Sequence, residues 1–298
     1  LFVGERIAVM NTVDTEASLD QFKSAIREKE KKAKRKSISI RWGRYATVAA
    51  AFLTGLVFAG GIAWGLLSNK LSDYEVITAA GQRAQTVLPD GSKVWLNASS
   101  KIVYHNSFWS SDRQIDLSGE AYFEVESDKE HPFIVKTKQL TVEATGTAFN
   151  VNAYAPDHVA AVTLVKGKVA VTLDQKKTIS LSPGEKIDYN LATSLYNVNK
   201  TNTYKWCSWK DGILIFRDDP LEYVFKRLGQ TYNVEFILKD AELGKYSYKA
   251  TFEGESLNEI LRLLEMSAPI RCKEVSNRNT NNEKFEKQRI EVSRIVRK

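Results

Sequence analysis

The distribution of apolar and polar positions along the chain changes character three times, and each change predicts a different kind of element. Tyr45 to Leu67 holds no charged residue, and its two threonines can return their hydroxyls to their own helix, so no polar face interrupts it. At about 1.5 Å of rise per residue such a helix covers roughly 34 Å, enough for a hydrocarbon core of about 30 Å. The run predicts a membrane span. From residue 76 to 190 the period becomes two: Val94/Leu96, Ile115/Leu117, Ala121/Phe123/Val125, Leu140/Val142/Ala144, Phe149/Val151 and Val169/Val171 alternate with polar neighbours. Turns such as Pro89-Asp90-Gly91, Lys166-Gly167-Lys168 and Ser182-Pro183-Gly184 separate these runs. That pattern predicts an all-β module, a sandwich or a solenoid of stacked hairpins. Gly119 and Gly146 within it fit bulges or a close approach of backbone.

Beyond residue 210 the pattern mixes both periods and repeats with an offset of 36 residues: Phe216 maps to Phe252, Leu221 to Leu257, Val224 to Ile260, Phe225 to Leu261, Leu228 to Leu264 and Val234 to Ile270. Each copy predicts strand, capped helix, strand, with both helices laid on a common sheet. Asp219, with Pro220 at N1 and Glu222 at N3, is the expected cap of the first helix; Ser256 with Glu259 at N3 is that of the second. Ile290 and Val292 mark a last strand. The fold class expected is therefore mainly β with an α+β C-terminal module: a single transmembrane helix, an all-β sandwich or solenoid, then a small βαβ-βαβ domain. The expected segments are 1–44, a partial N-terminal region; 45–67, the span; 76–190, the all-β domain; 191–209, an Asn- and Thr-rich linker; and 210–298, the C-terminal module.

Charge orients the span. Residues 1–44 carry six Lys and five Arg against two Asp and four Glu, so five of the seven net positive charges precede it. By the positive-inside rule the N-terminus is cytoplasmic and residues 68–298 lie on the far side of an inner membrane, in the periplasm. The long basic region and the missing A-x-A site argue for a signal anchor over a cleaved signal peptide. The basic run abuts the bilayer without interleaved aromatics, which suits a membrane surface better than nucleic acid. Leu1 in place of Met suggests that the sequence begins inside a longer reading frame. Within 1–44, the segment from Asp14 to Lys32 predicts one amphipathic helix with Leu19, Phe22 and Ile26 on its apolar stripe, a stripe suited to a partner's groove.

Candidate chemistry is sparse. Glu120, Glu124 and Glu126 alternate around Tyr122 on one strand face, which fits a solvated face better than a pair of hydrolytic carboxylates. His105, His131 and His158 lack metal-site spacing. Neither a phosphate loop nor a nucleophile elbow is present. We expect no catalytic residue, no metal and no cofactor, and hence not an enzyme. Cys207 and Cys272 fit a disulfide or two buried thiols equally; by the 36-residue repeat Cys272 replaces Phe236, a buried strand position.

Five blocks, LPDGSKVWLNASS from Leu88, LSGEAYFEV from Leu117, HPFIV from His131, ATGTAFNVNAY from Ala144 and LSPGEK from Leu181, resemble in order and spacing the β-domain of FecR-type transmembrane anti-sigma factors. The module after it resembles the short N-terminal module of secretins and TonB-dependent receptors, an architecture of Bacteroidetes regulators. The resemblance implies a regulator of an extracytoplasmic-function sigma factor that relays a signal from a TonB-dependent outer-membrane transporter to transcription. The partners implied are the sigma factor, met by Leu19, Phe22 and Ile26; the transporter's signalling domain; an intramembrane protease; and the inner membrane, with no direct nucleic acid. For the signalling domain, the alternating strand Tyr246, Tyr248, Ala250 and Phe252 is the expected contact. A membrane-anchored periplasmic binding or assembly protein without a sigma partner is the alternative. The family's fuller helical sigma-binding domain is represented here by about its last helix.

Overall fold

The computed structural model describes residues 15–68, 73–105, 108, 113–155, 157–174, 176–275 and 287–295; in the first of these, side chains are described at 16–33 and 50–62. The chain divides into two compact units, residues 1–70 and 71–298.

Among its described residues the first unit contains one helix, α1 (Thr15–Ser68), so the amphipathic segment and the apolar run are continuous. Glu28 and Lys32 pair across one turn at 3.3 Å. Within the apolar run Thr54 Oγ1 donates to Ala51 O at 3.0 Å, the return bond expected for a hydroxyl lacking other partners. Phe52, Val57 and Phe58 are exposed. Among the described residues no helix is long and apolar enough to cross a membrane. The described side chains of the run stop at 50–62, and the expected span's remainder, 45–49 and 63–67, lies outside them.

The second unit is built on β5 (Arg113–Glu124), the longest strand among the described residues. Its first half pairs with β4 (Lys101–His105) and β6 (Phe133–Lys136); its second half pairs with β3 (Lys93–Leu96) and β8 (Ala148–Ala153). Gly119, where the halves meet, sits at φ +105°, and a Cβ there would lie 2.4 Å from Ser100 Oγ. Only glycine lets the strand pass at that point. From β5 the sheet runs one way through β6, β7 (Leu140–Ala144), β10 (Val169–Leu173) and β11 (Lys177–Leu181). The other way it runs through β8, β9 (Val159–Lys166), β12 (Glu185–Asn190) and β13 (Leu195–Lys200). β1 (Asp73–Ile77) joins β4, and β2 (Ala84–Val87) joins β3.

The curled sheet folds into a sandwich rather than a solenoid, because the expected apolar positions of both halves meet in one core. Phe123 stacks on Phe149 at 5.1 Å between centroids and meets Phe133 edge-on at 5.9 Å. Gly146, at φ +109°, approaches Ser127 closely enough that a Cβ would lie 2.8 Å from its Cβ.

Three expectations are corrected beyond this point. The stretch 191–209 is not a plain linker. It holds β13, paired along its length with β12, and α2 (Thr203–Cys207), capped by Asn202 Oδ1, which accepts from Tyr204 N.

Next, the strands of the two repeat copies form two sheets instead of one common sheet. Their first strands, β14 (Ile213–Pro220) and β16 (Ser247–Glu253), pair with each other. Their second strands, β15 (Val234–Leu238) and β17 (Ile270–Val275), flank β18 (Gln288–Arg294), parallel and antiparallel respectively. The last strand occupies the place the copies would otherwise share. The repeat itself holds: Phe216, Phe252, Val224, Ile260, Leu228 and Leu264 are all buried in one core.

Finally, α3 (Leu221–Tyr232) is not capped by Asp219. Pro220 occupies the cap position, and the Asp219 carboxylate accepts from Arg217 N and Lys205 Nζ, both at 2.7 Å, at a bulge in β14. A four-residue helix, α4 (Ala241–Gly244), follows β15. α5 (Leu257–Ser267) carries the expected capping box, with Ser256 and Glu259 bonding reciprocally. Hydrogen bonds from Ser256 hold the Glu259 carboxyl below its ordinary pKa.

Candidate signalling interfaces

Two of the expected contact sets can be located directly. Leu19, Phe22 and Ile26 lie along one side of α1 with exposures of 50, 65 and 42%. An apolar stripe so exposed along a helix has the pattern that enters a partner's groove. The set on β16 is divided. Phe252 belongs to the core and meets Phe216 edge-on at 6.1 Å between centroids. Tyr248 is half-buried and shares a 2.8 Å hydrogen bond with Ser267 Oγ. Ala250 is half-buried, and its carbonyl accepts from Arg217 at 3.2 Å. Tyr246, just before the strand, is exposed, and its hydroxyl accepts from Arg294 at 3.1 Å. The alternating face of this strand therefore points mostly inward. Tyr246 is the member of the set that lies exposed.

The third feature was not legible as a site. Glu120 and Tyr122 do not form a solvated face: the C-terminal module covers them. Glu120, 2% exposed, receives Asn97 Nδ2 at 2.7 Å, Asn150 Nδ2 at 3.0 Å and Arg227 Nη1 of α3 at 2.6 Å. Trp209 Nε1, from the 3-10 turn after α2, donates to Asn150 Oδ1 at 3.1 Å. Around this polar centre Trp95 and Tyr122 of the sandwich pack with Cys207, Trp209 and Leu214 in the same apolar cluster. Arg83 also donates to the Trp209 carbonyl, and Lys226 pairs with Asp157 at 2.6 Å. The sandwich and the C-terminal module are thus joined by a seam with a buried ion pair inside it.

The electrostatics follow from that burial. Desolvation pulls the Arg227 guanidinium down, but the charge of Glu120, the electrostatic influence of Tyr223 and the hydrogen bond to Glu120 more than offset it, so its pKa is raised. Burial pushes the Cys207 thiol up to about 12, and Cys272, half-buried in β17, likewise to about 12. Both cysteines are free and neither is poised to react. The Glu120 carboxylate is buried, paired with Arg227 and bonded by two amides, so its oxygens are engaged within the protein. Among the described residues no group of three or more His, Cys, Asp or Glu is placed to hold a metal ion.

Comparison with known proteins matches this architecture module by module. Residues 74–170 match the FecR protein family model, and residues 213–281 the FecR C-terminal model. Two crystal structures of a candidate anti-sigma factor from Parabacteroides distasonis, at 1.65 and 2.50 Å resolution, superpose with TM-scores of 0.64 and 0.65 at 30% identity. The matches cover 74 and 75% of this chain and 98 and 99% of theirs. No curated protein matches the chain.

Proposed function

Because the chain belongs to the FecR family of anti-sigma regulators, we propose that it is a single-pass inner-membrane protein that holds an extracytoplasmic-function sigma factor on its cytoplasmic side. Its periplasmic modules receive a signal from a TonB-dependent outer-membrane transporter. The observation that carries this reading is the order of parts on one chain: an exposed apolar stripe on a basic helix, an uncharged run, a FecR domain and a FecR C-terminal module. The sigma factor meets Leu19, Phe22 and Ile26; the transporter's signalling domain meets the C-terminal module near Tyr246 and Tyr248; an intramembrane protease acts on the span to release the sigma factor. The buried seam supports such a relay physically, since a pull on the C-terminal module is borne by Glu120, Arg227 and the aromatic contacts around them.

Topology is tested with reporter fusions. A reporter after Lys298 is expected to be active only if it works in the periplasm, and one before Leu1 only if it works in the cytoplasm; the reverse pattern refutes the scheme. Docking is tested by calorimetry with the purified signalling domain. Tyr246→Ala together with Tyr248→Ala is expected to weaken binding, and full affinity in that variant moves the contact elsewhere.

A further inference from the structure

Along the seam, the outer face of the sandwich changes chemistry from one end to the other. One cross-strand row reads Trp95, Tyr122, Asn150, Thr163, Lys186, and the next reads Glu120, Asn152, Ala161, Asp188. Where Trp209 covers the sheet the row is aromatic; Trp95 and Tyr122 meet at 5.6 Å between centroids. Where the C-terminal module stands off the sheet the row becomes amide, hydroxyl and amine, and a cleft of about 310 Å³ opens above it. A face meant only for packing would continue apolar across β9 and β12. Ala161, the smallest side chain of its row, lies at the floor of the cleft.

The walls are aromatic. Trp206 of α2 and Tyr223 of α3 meet edge-on at 6.3 Å between centroids, and both line the cleft. Trp206 is fixed by its Nε1 donating to Thr201 Oγ1 at 2.9 Å, and Lys186 Nζ lies 3.9 Å from its ring centre. Burial raises the Tyr223 hydroxyl to about 12, so it stays a neutral donor and acceptor. Asn150 is consumed by Glu120 and Trp209, whereas Asn152 and Thr163 take no part in the bonds that close the seam.

The charges lining the cleft cancel in place. Glu120 is paired with Arg227, Asp157 with Lys226, and Lys186 with Asp188. Apart from His158, the acidic and basic side chains of the cleft are thus engaged, so a charged ligand would have to compete with one of these pairs or rely on that imidazole alone. An apolar ligand would leave Asn152, Thr163 and the Tyr223 hydroxyl unpartnered. The chemistry that satisfies both conditions is a small uncharged molecule carrying several hydroxyls and some C–H surface for the aromatic walls.

We propose that this cleft is a binding site for a neutral saccharide of one or two rings, with Asn152, Thr163 and Tyr223 contacting its hydroxyls and the part of Trp206 that Lys186 and Lys205 leave uncovered meeting its C–H surface. The volume lies at the small end of the range for ligand pockets, about 300–1,000 Å³. The site draws residues from both modules, so occupancy would tighten the seam. The proposal goes beyond the partner reading and does not depend on it.

The test is calorimetry on the full chain in a detergent without a sugar headgroup, with glucose, galactose, N-acetylglucosamine and maltose as probes and inorganic phosphate as the ionic control. At least one saccharide is expected to bind with a Kd in the millimolar range or tighter, with quenching of tryptophan fluorescence and no heat from phosphate. Thr163→Val, which conserves volume, and Asn152→Leu, which fills the floor, are each expected to weaken that binding by about tenfold or more, an effect on the order of one hydrogen bond between buried partners. Circular dichroism melting of each variant establishes that it is folded. Absence of binding by all four saccharides at about 20 mM overturns the proposal. So does unchanged affinity in both folded variants, or phosphate binding more tightly than any sugar.

Discussion

Removing Arg227 tests the seam at its centre. Arg227→Met keeps most of the side chain's length and apolar surface while deleting the cation that lies 2.6 Å from Glu120. Glu120 then remains in place, nearly fully buried, with only the two amide donors of Asn97 and Asn150. Breaking a buried pair on one side costs about 3–5 kcal/mol, since the survivor is an uncompensated charge, whereas replacing both partners is often close to neutral. The two amides keep the cost toward the lower end, so we expect a loss of about 3 kcal/mol. Urea unfolding followed by tryptophan fluorescence measures it, because Trp209 is bonded to Asn150 inside the seam.

Glu120→Gln combined with Arg227→Met is expected to recover most of the loss. A single variant within about 1 kcal/mol of the parent, or a double variant no better than the single, refutes the claim that this pair organises the seam.

Other expectations follow from named contacts. Gly119→Ala forces a side chain into φ +105° and against Ser100, and is expected to cost at least about 2 kcal/mol in the same unfolding assay. Cys207 and Cys272 are expected to resist alkylation at pH 9, where an ordinary thiol is half ionised, and to react once urea unfolds the chain. Because their folded values are raised from 9.0 to about 12, the stability they contribute is complete below pH 9 and lost as pH climbs toward 12. Rapid labelling of both in the native protein contradicts the burial.

Alternation in Val94/Leu96, Ala121/Phe123 and Val169/Val171 marked strands and core together, because a half-buried strand writes both into a period of two. β13 was missed for the same physical reason in reverse: it is an edge strand with Leu195 and Tyr196 exposed, so its Asn-rich sequence carries no buried face. The 36-residue repeat located the helices and their core residues, yet not the pairing, since nothing in either copy announces that β18 separates β15 from β17. The Asp219 cap failed because its carboxylate had a competing cation, Lys205, supplied by a helix earlier in the chain. Least legible was the seam. Glu120 looked solvated because its partner Arg227 is 107 residues away, and a lone arginine on an amphipathic helix is ordinarily a surface residue.

The account's central claim, that this chain restrains a sigma factor through the exposed stripe of α1, is tested most directly by co-purification. An extracytoplasmic-function sigma factor from the same organism is expressed with the full chain and captured with it from detergent-solubilised membranes by a tag on the C-terminus. The parent chain is expected to retain it, and Leu19→Asp, Phe22→Asp and Ile26→Asp together are expected to release it while the chain stays in the membrane fraction. Retention of the sigma factor by the triple variant, or its absence from the parent complex, would contradict the claim.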